Sequence, residues 1–419
     1  MTLSRLATRS LPALLALCAG PLLAQQAPPA SHPAMRAALD AIKAENAWTL
    51  DQQVSICEIP SPPFKEQKRG EELARRFRAL GLVNVRTDAE GNVIGERPGT
   101  GGKTVVLSAH LDTVFPEGTD VKVSREGSFM KAPGIGDDCR GLAVILSVAK
   151  AMQGARLPNV GTILFVGTVG EEGPGNLRGV RYLFTKSDLR KSIDYFISVD
   201  GTGLGVTSRA VGSNRYRVTF AGPGGHSFGA FGMPNPIHAM GRAIAKIAEI
   251  QVPAAPKTTF NVGIVSGGTS VNTISPAGVM EVDMRSESAK ELATIDGKVH
   301  AAIQQALSEE RARWPRSRVP LDVKIDTIGI RPTGEQPDDA PIVRAAIASG
   351  KALGFTAPTG ASSTDSNIAI SLGIPAVTID GGGQGHGAHA LGESYEDGDR
   401  GWLGPQWAAL LVATLVGVK

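Results

Sequence analysis

Aromatic residues make up only 5% of the 419-residue chain, and cysteine occurs three times. So few rings leave little to stack on nucleic-acid bases. Lys plus Arg number 43 against 40 Asp plus Glu, and no basic run is present to neutralise a phosphate backbone, which excludes nucleic acid as a partner. A serine hydrolase would need a Gly-x-Ser-x-Gly elbow after a strand, and none is read here. A nucleotide enzyme would need a phosphate loop, which is also missing. Beyond the N-terminal region no segment reaches 18 unbroken apolar residues, so no transmembrane helix is expected. What remains is a composition 42% apolar and 20% charged, ordinary for a soluble globular chain and long enough for two or three domains. Glycine is plentiful, with 51 residues, as expected where tight turns and close backbone approaches crowd around a site.

The N-terminus carries Arg5 and Arg9, then an apolar stretch from Leu11 to Leu23, then a polar, proline-rich segment. This pattern predicts a secretory signal peptide over residues 1–24, cleaved after Ala24, and a linker over 25–34. Export places the mature protein in the periplasm or outside the cell, with no membrane attachment after cleavage. Cys57 and Cys139 then remain. An exported chain permits a disulfide, but two cysteines without framework spacing read as structural thiols.

Helical spacing marks 35–58 and 66–80, followed by a continuous apolar strand at 104–109, a helix at 140–152 and strands at 161–167 and 195–199. This alternation predicts an α/β fold, a mostly parallel mixed sheet flanked by helices. The pattern changes near 213. A strand through Tyr216, Val218 and Phe220 is followed by a helix at 235–250, strands at 259–265 and 278–285, a helix at 287–312 and a strand at 320–327. That β-α-β-β-α-β order predicts an inserted α+β, ferredoxin-like lid. The expected organisation is a catalytic domain in two parts, 35–213 and 330–419, with a lid and dimerisation domain at 214–329.

Acidic and imidazole residues gather at strand ends, where ligands bind in open α/β sheets. His110 and Asp112 follow the strand at 104–109; two residues apart on extended backbone, they face the same way. Asp112 is therefore placed to accept from the second imidazole nitrogen and fix the ring of a metal-ligating His110. In Gly134-Ile135-Gly136-Asp137-Asp138, one Asp can cap the following helix while the other reaches a cation. Glu171 and Glu172 follow the strand at 161–167, and Asp200 ends the strand at 195–199. His386 and His389 both lie in the last glycine-rich segment, and either could complete the set. Two imidazoles and three carboxylates satisfy two zinc ions if one Asp bridges them.

The ordered set His-x-Asp, Gly-x-Gly-Asp-Asp, Glu-Glu, Asp and a late His resembles the two-zinc exopeptidases and deacylases of clan MH. That group includes carboxypeptidase G, succinyl-diaminopimelate desuccinylase, acetylornithine deacetylase, aminoacylase and peptidase T. The resemblance runs from about residue 40 to 417. It implies two Zn2+ per subunit, replaceable by Co2+ or Mn2+, with His110 and Asp200 on one ion, Glu172 and His389 on the other, and Asp137 between them. It further implies that Asp112 orients His110, that Glu171 is the general base, and that a cis peptide follows Asp137. His389 matches the family pattern better than His386, because Glu393 lies four residues beyond it. In the lid, the resemblance gives His226 an oxyanion-stabilising role across a homodimer interface, and gives Asn272 and Arg285 contacts to a substrate carboxylate or carbonyl; Arg285 could instead pair with Asp283. The function implied is hydrolysis of a terminal peptide bond of a small peptide, with N-acyl amino acid deacylation as the second reading and a non-catalytic peptide- or metal-binding module as a remote one. The segment Asp137-Asp138-Cys139-Arg140-Gly141 stands where the family more often has Asp-Asp-Lys or Asp-Met-Lys, which puts Cys139 unusually near the bridging position.

Overall fold

The computed structural model describes residues 27–419, so the expected signal segment and its cleavage point lie outside the described residues. Four strands, Thr162–Thr168, Thr104–His110, Tyr195–Val199 and Ala376–Ile379, run parallel in that spatial order. Their side chains are buried almost without a break because helices cover both faces. This is why they read as continuous apolar runs rather than alternating ones. Antiparallel strands extend both sides. Val93–Arg97 and Val83–Thr87 follow Thr162–Thr168, while Val206–Ala210 joins Ala376–Ile379. The sheet is therefore mixed, with a parallel centre.

Helix Cys139–Gly154 packs across this centre with nearly every side chain buried, and helix Leu403–Val416 lies beside it. Leu107, Phe165, Ile197, Val377 and Trp407 belong to one core with them. Helix Pro33–Ala44 begins inside the stretch expected to be a linker. Pro33 fits the first turn, where its missing N–H is not needed, and His32 Nδ1 accepts from Ala34 N (3.2 Å). Among the described residues, no helix is long and apolar enough to cross a membrane.

The two cysteines are not free thiols: Cys57 and Cys139 form a disulfide, with Cα atoms 5.4 Å apart. It joins the end of helix Asn46–Cys57 to the first residue of helix Cys139–Gly154. Sequence separation concealed the pairing, since two cysteines 82 positions apart give no framework spacing. Arg140, the other unusual residue here, is fully buried. It donates to the carbonyls of Gly381 and Gly401 at 2.7 Å each, and so ties this helix to the late glycine-rich segment.

A separate four-stranded antiparallel sheet has the order Thr258–Gly267, Ala277–Ser286, Gly212–Ala221, Asp322–Arg331. Strand Ala277–Ser286 alternates between buried and half-buried positions along its whole length. One face packs on helices Pro236–Ala248 and Ala289–Arg313, and the other is left to solvent. Val218, Phe220, Met280, Val282 and Ile303 form its own core. The segment after Glu172 holds this unit to the main sheet: Asn176 Oδ1 accepts from Ile330 N (3.0 Å), Arg181 donates to Ile330 O (2.8 Å), and Arg215 donates to Gly173 O (3.3 Å).

Candidate metal centre

The parallel strands deliver their functional groups at one edge. His110 is the last residue of its strand, Glu171 and Glu172 follow Thr162–Thr168, and Asp200 follows Tyr195–Val199. Asp137 comes from the turn before helix Cys139–Gly154, and the Asp137–Asp138 peptide is cis. The two aspartates divide their work. Asp138 caps the helix by accepting from Gly141 N (2.9 Å) and also accepts from His110 N (2.9 Å), while Asp137 faces the cluster. Asp137 Oδ1 lies 2.9 Å from His110 Nε2, and its Oδ2 lies 3.1 Å from His389 Nε2. His389 Nε2 is also 2.9 Å from Glu172 Oε1. One carboxylate thus stands between two imidazoles.

Donor atoms of His110, Asp137 and Asp200 lie within 4.8 Å of one another, and so do those of Asp137, Glu172 and His389. Asp137 is common to both groups. His386 joins neither; it ends a short strand, exposed to solvent. His110, Glu171 and Glu172 form a third such group.

The protonation balance fits a cation site. Burial pushes the Asp200 carboxyl well above the usual carboxylate range, and the field of Asp137 adds to it. Burial by itself would lower His110, but its bond to Asp137 and the surrounding carboxylates hold the imidazole well above its ordinary value. Bonds to Asp137 and Glu172 raise His389 to about 10. Carboxylates in excess around two imidazoles, whose protonated form they favour, are a donor set that divalent cations would satisfy.

Asp112 does not act as the spacing suggested. Its backbone carbonyl, not its carboxylate, takes the short contact from His110 Nδ1 (3.0 Å); the carboxylate Oδ1 stays 3.7 Å away. The carboxylate instead accepts from the backbone N–H groups of Glu171 (3.0 Å) and Glu172 (2.9 Å). It therefore aims the two glutamates, because the loop after Thr168 folds back over it. Glu393 has a similar hold on the other loop. Buried, it accepts from the backbone N–H groups of Gly134 (2.9 Å), Gly136 (2.7 Å) and Asp137 (2.9 Å).

A cavity of about 570 Å³ opens on this cluster, bordered by Asp137, Glu171, Glu172, Asp200 and His389, and by Arg285 and Arg331. Arg331 had no motif to announce it. It ends strand Asp322–Arg331, four residues past the expected strand end, and donates to Glu171 Oε1 (3.0 Å) and Ser363 Oγ (3.0 Å). Burial nonetheless raises the Glu171 carboxyl above its ordinary value, Arg331 pulling the other way. Arg285 borders the cavity and pairs with Asp283 at 2.8 Å.

His226 and Asn272 are not brought to the cavity of their own chain. His226 is exposed, and its Nδ1 accepts from Phe228 N (3.2 Å) and Gly229 N (3.3 Å); Asn272 is exposed and accepts from Ser270 Oγ (2.6 Å). Residues Gly225 to Gly229 spell Gly-x-Ser-x-Gly. They form a two-residue strand and a turn in the inserted unit, outside the cavity, so no strand-to-helix elbow results.

Residues 106–400 match the sequence model of peptidase family M20/M25/M40. The chain belongs to this family. Among M20 relatives, the uncharacterized protein YqjE of Bacillus subtilis is 26% identical over 348 residues, 79% of this chain and 89% of that protein. Carboxypeptidase G2 of Pseudomonas sp. is 28% identical over 228 residues, 52% of this chain and 54% of its own length. Succinyl-diaminopimelate desuccinylase of Nitrosospira multiformis is 26% identical over 245 residues, 54% of this chain and 64% of its own length. The chain thus spans about half to two thirds of these two relatives. Two solved structures share the M20 fold. The aminopeptidase PepT of Bacillus cereus has a TM-score of 0.67 at 22% identity, covering 90% of this chain and 98% of that one. A tripeptidase of Staphylococcus aureus has a TM-score of 0.70 at 22% identity, covering 88% and 96%.

Proposed function

We propose that the chain is a two-zinc hydrolase that cleaves a terminal amide bond of small peptides. The observation that carries this reading is the sharing of Asp137 between two groups of donors, His110 with Asp200 and Glu172 with His389. These five residues would hold two divalent cations with Asp137 as the bridge, and imidazole donors favour zinc over magnesium. When bound, such a pair polarises the scissile carbonyl and lowers the pKa of water. The remaining work falls to the protein. Glu171 is the general base: Oε1 is held by Arg331 while Oε2 has no hydrogen-bond partner among the described residues and is left to take a proton and return it to the leaving amine. Asp112 fixes the Glu171–Glu172 backbone, Glu393 fixes that of Asp137, and Arg285 offers a cation to a substrate carboxylate or carbonyl.

His226 and Asn272 act in this scheme from a partner subunit. The edge strand Thr258–Gly267 supports a homodimer, because it pairs on one side only and leaves Ile264 and Val265 more than half exposed. Export to an oxidising compartment is supported by the Cys57–Cys139 disulfide. N-acyl amino acid deacylation is the second reading, since the same centre serves both reactions. The test is to incubate the zinc-loaded protein with di- and tripeptides and N-acyl amino acids and identify products by mass. Release of single amino acids from peptides is expected; an untouched panel would refute the proposal.

A further inference from the structure

One carboxylate in the cavity has no task in this scheme. Asp380 follows the buried strand Ala376–Ile379 and borders the same cavity as Asp137, Glu171, Asp200 and His389. Its Oδ2 accepts from Gly205 N (2.6 Å). Its Oδ1 has no hydrogen-bond partner among the described residues, and is not one of the unpartnered polar atoms sealed from solvent. The arginines of the cavity are engaged elsewhere, Arg215 and Arg285 with Asp283 and Arg331 with Glu171. Glycine backbone lies close against Asp380. A Cβ at Gly203 would lie 2.9 Å from Oδ2, and one at Gly205 3.1 Å; Gly203 also has φ +103°. Burial raises the carboxyl to about 6, with no nearby cation to oppose it, so the group is still mainly ionised at neutral pH. A half-buried carboxylate beside a reaction centre, open at Oδ1 and with no Lys or Arg partner among the described residues, is a ready acceptor for a cationic ligand group. The matching ligand group is a cationic nitrogen with N–H donors.

We propose that Asp380 determines specificity by binding a cationic nitrogen of the substrate, so that peptides with a free ammonium group are preferred over N-acylated ones. This rests on reading the site as an amide hydrolase, and it selects between the peptide and N-acyl readings. The nitrogen is the α-ammonium group or a basic side chain, which the experiment separates.

The experiment measures kcat and KM of the zinc-loaded enzyme on trialanine, N-acetyltrialanine and an N-acetylated tripeptide with lysine at its first position. A charge-assisted bond should favour trialanine over its acetylated form by at least about tenfold in kcat/KM. Asp380→Asn should shrink that ratio to within about twofold, chiefly through KM for the free amine, while Asp380→Glu keeps most of it. If the lysine peptide instead carries the preference, and loses it in Asp380→Asn, the nitrogen is the side chain. The wild-type ratio needs no variant to fold. An enzyme that cleaves peptides without regard to charge, or a ratio unchanged in Asp380→Asn, overturns the inference alone. A protein that cleaves nothing in the panel overturns the hydrolase reading and this inference together.

Discussion

At the ends of the parallel strands, Asp112, Glu171, Glu172 and Asp200 are drawn close together, with Arg331 as the arginine paired to Glu171. In the four-stranded sheet, acidic groups already have basic partners: Glu281 pairs with Arg217 on the neighbouring strand at 2.7 Å, and Asp283 pairs with Arg215 on the neighbouring strand and with Arg285 on its own strand at 2.8 Å each. The first arrangement is unstable in charge unless cations complete it, and the second is already complete. Buried carboxylates without enough partners therefore mark the working part of the molecule, whereas a cross-strand pair away from the cavity, such as Glu281 with Arg217, marks its scaffold.

The contrast breaks most directly at Glu171. Glu171→Gln removes the base but none of the five proposed ligands, so kcat should fall by about 10²- to 10⁴-fold with metal content unchanged. Steady-state kinetics together with metal analysis on the same sample check both halves. Wild-type turnover in that variant would remove Glu171 from the chemistry.

The disulfide is next. Replacing Cys57 and Cys139 together by serine opens a loop closed across 82 positions and should cost about 2–5 kcal/mol in denaturant unfolding. An unfolding midpoint equal to wild type would show that the bond does not stabilise the fold.

A smaller effect, in pH rather than in rate, is expected at Asp365. Burial raises its carboxyl from 3.8 to about 7, the field of Glu171 adding to it, and Thr168 Oγ1 donates to it at 2.5 Å. The folded state thus holds this proton more tightly than the unfolded chain. The group's contribution to stability is complete below its ordinary pKa and is lost as pH rises through about 7. Asp365→Asn should therefore flatten the fall in stability of the metal-free protein between about pH 4 and about pH 8. Denaturation midpoints across that range decide it, and an unchanged slope would assign the pH dependence to other groups.

Least should follow from the scaffold. Arg217 is half-exposed in its pair with Glu281, so Arg217→Ala should cost no more than about 1 kcal/mol and leave turnover intact. A large loss of activity would mean that the sheet's surface charges take part in the site.

Much of this was legible in the chain itself. Strands buried on both faces appear as unbroken apolar runs, and each run leads directly into His110, the Glu171–Glu172 pair or Asp200. The antiparallel unit announced itself through the alternation at Tyr216, Val218 and Phe220. Contacts made by backbone groups were not legible. Asp112 lies two residues from His110, which suggested a side-chain bond, but its carboxylate is taken by amides nearly sixty residues away. Arg331 is 160 residues from Glu171, and a lone arginine at a strand end carries no pattern. Strand Val206–Ala210 escaped notice because it holds a serine, a threonine and an arginine among only two apolar residues.

The most direct test of the account is a count of metal ions in the purified, zinc-equilibrated protein and in Glu172→Gln. The wild-type chain should hold two zinc ions, and the variant about one, because Glu172 serves one of the two donor groups that meet at Asp137. A chain that holds none, or a variant that holds as many as wild type, would contradict the proposed centre.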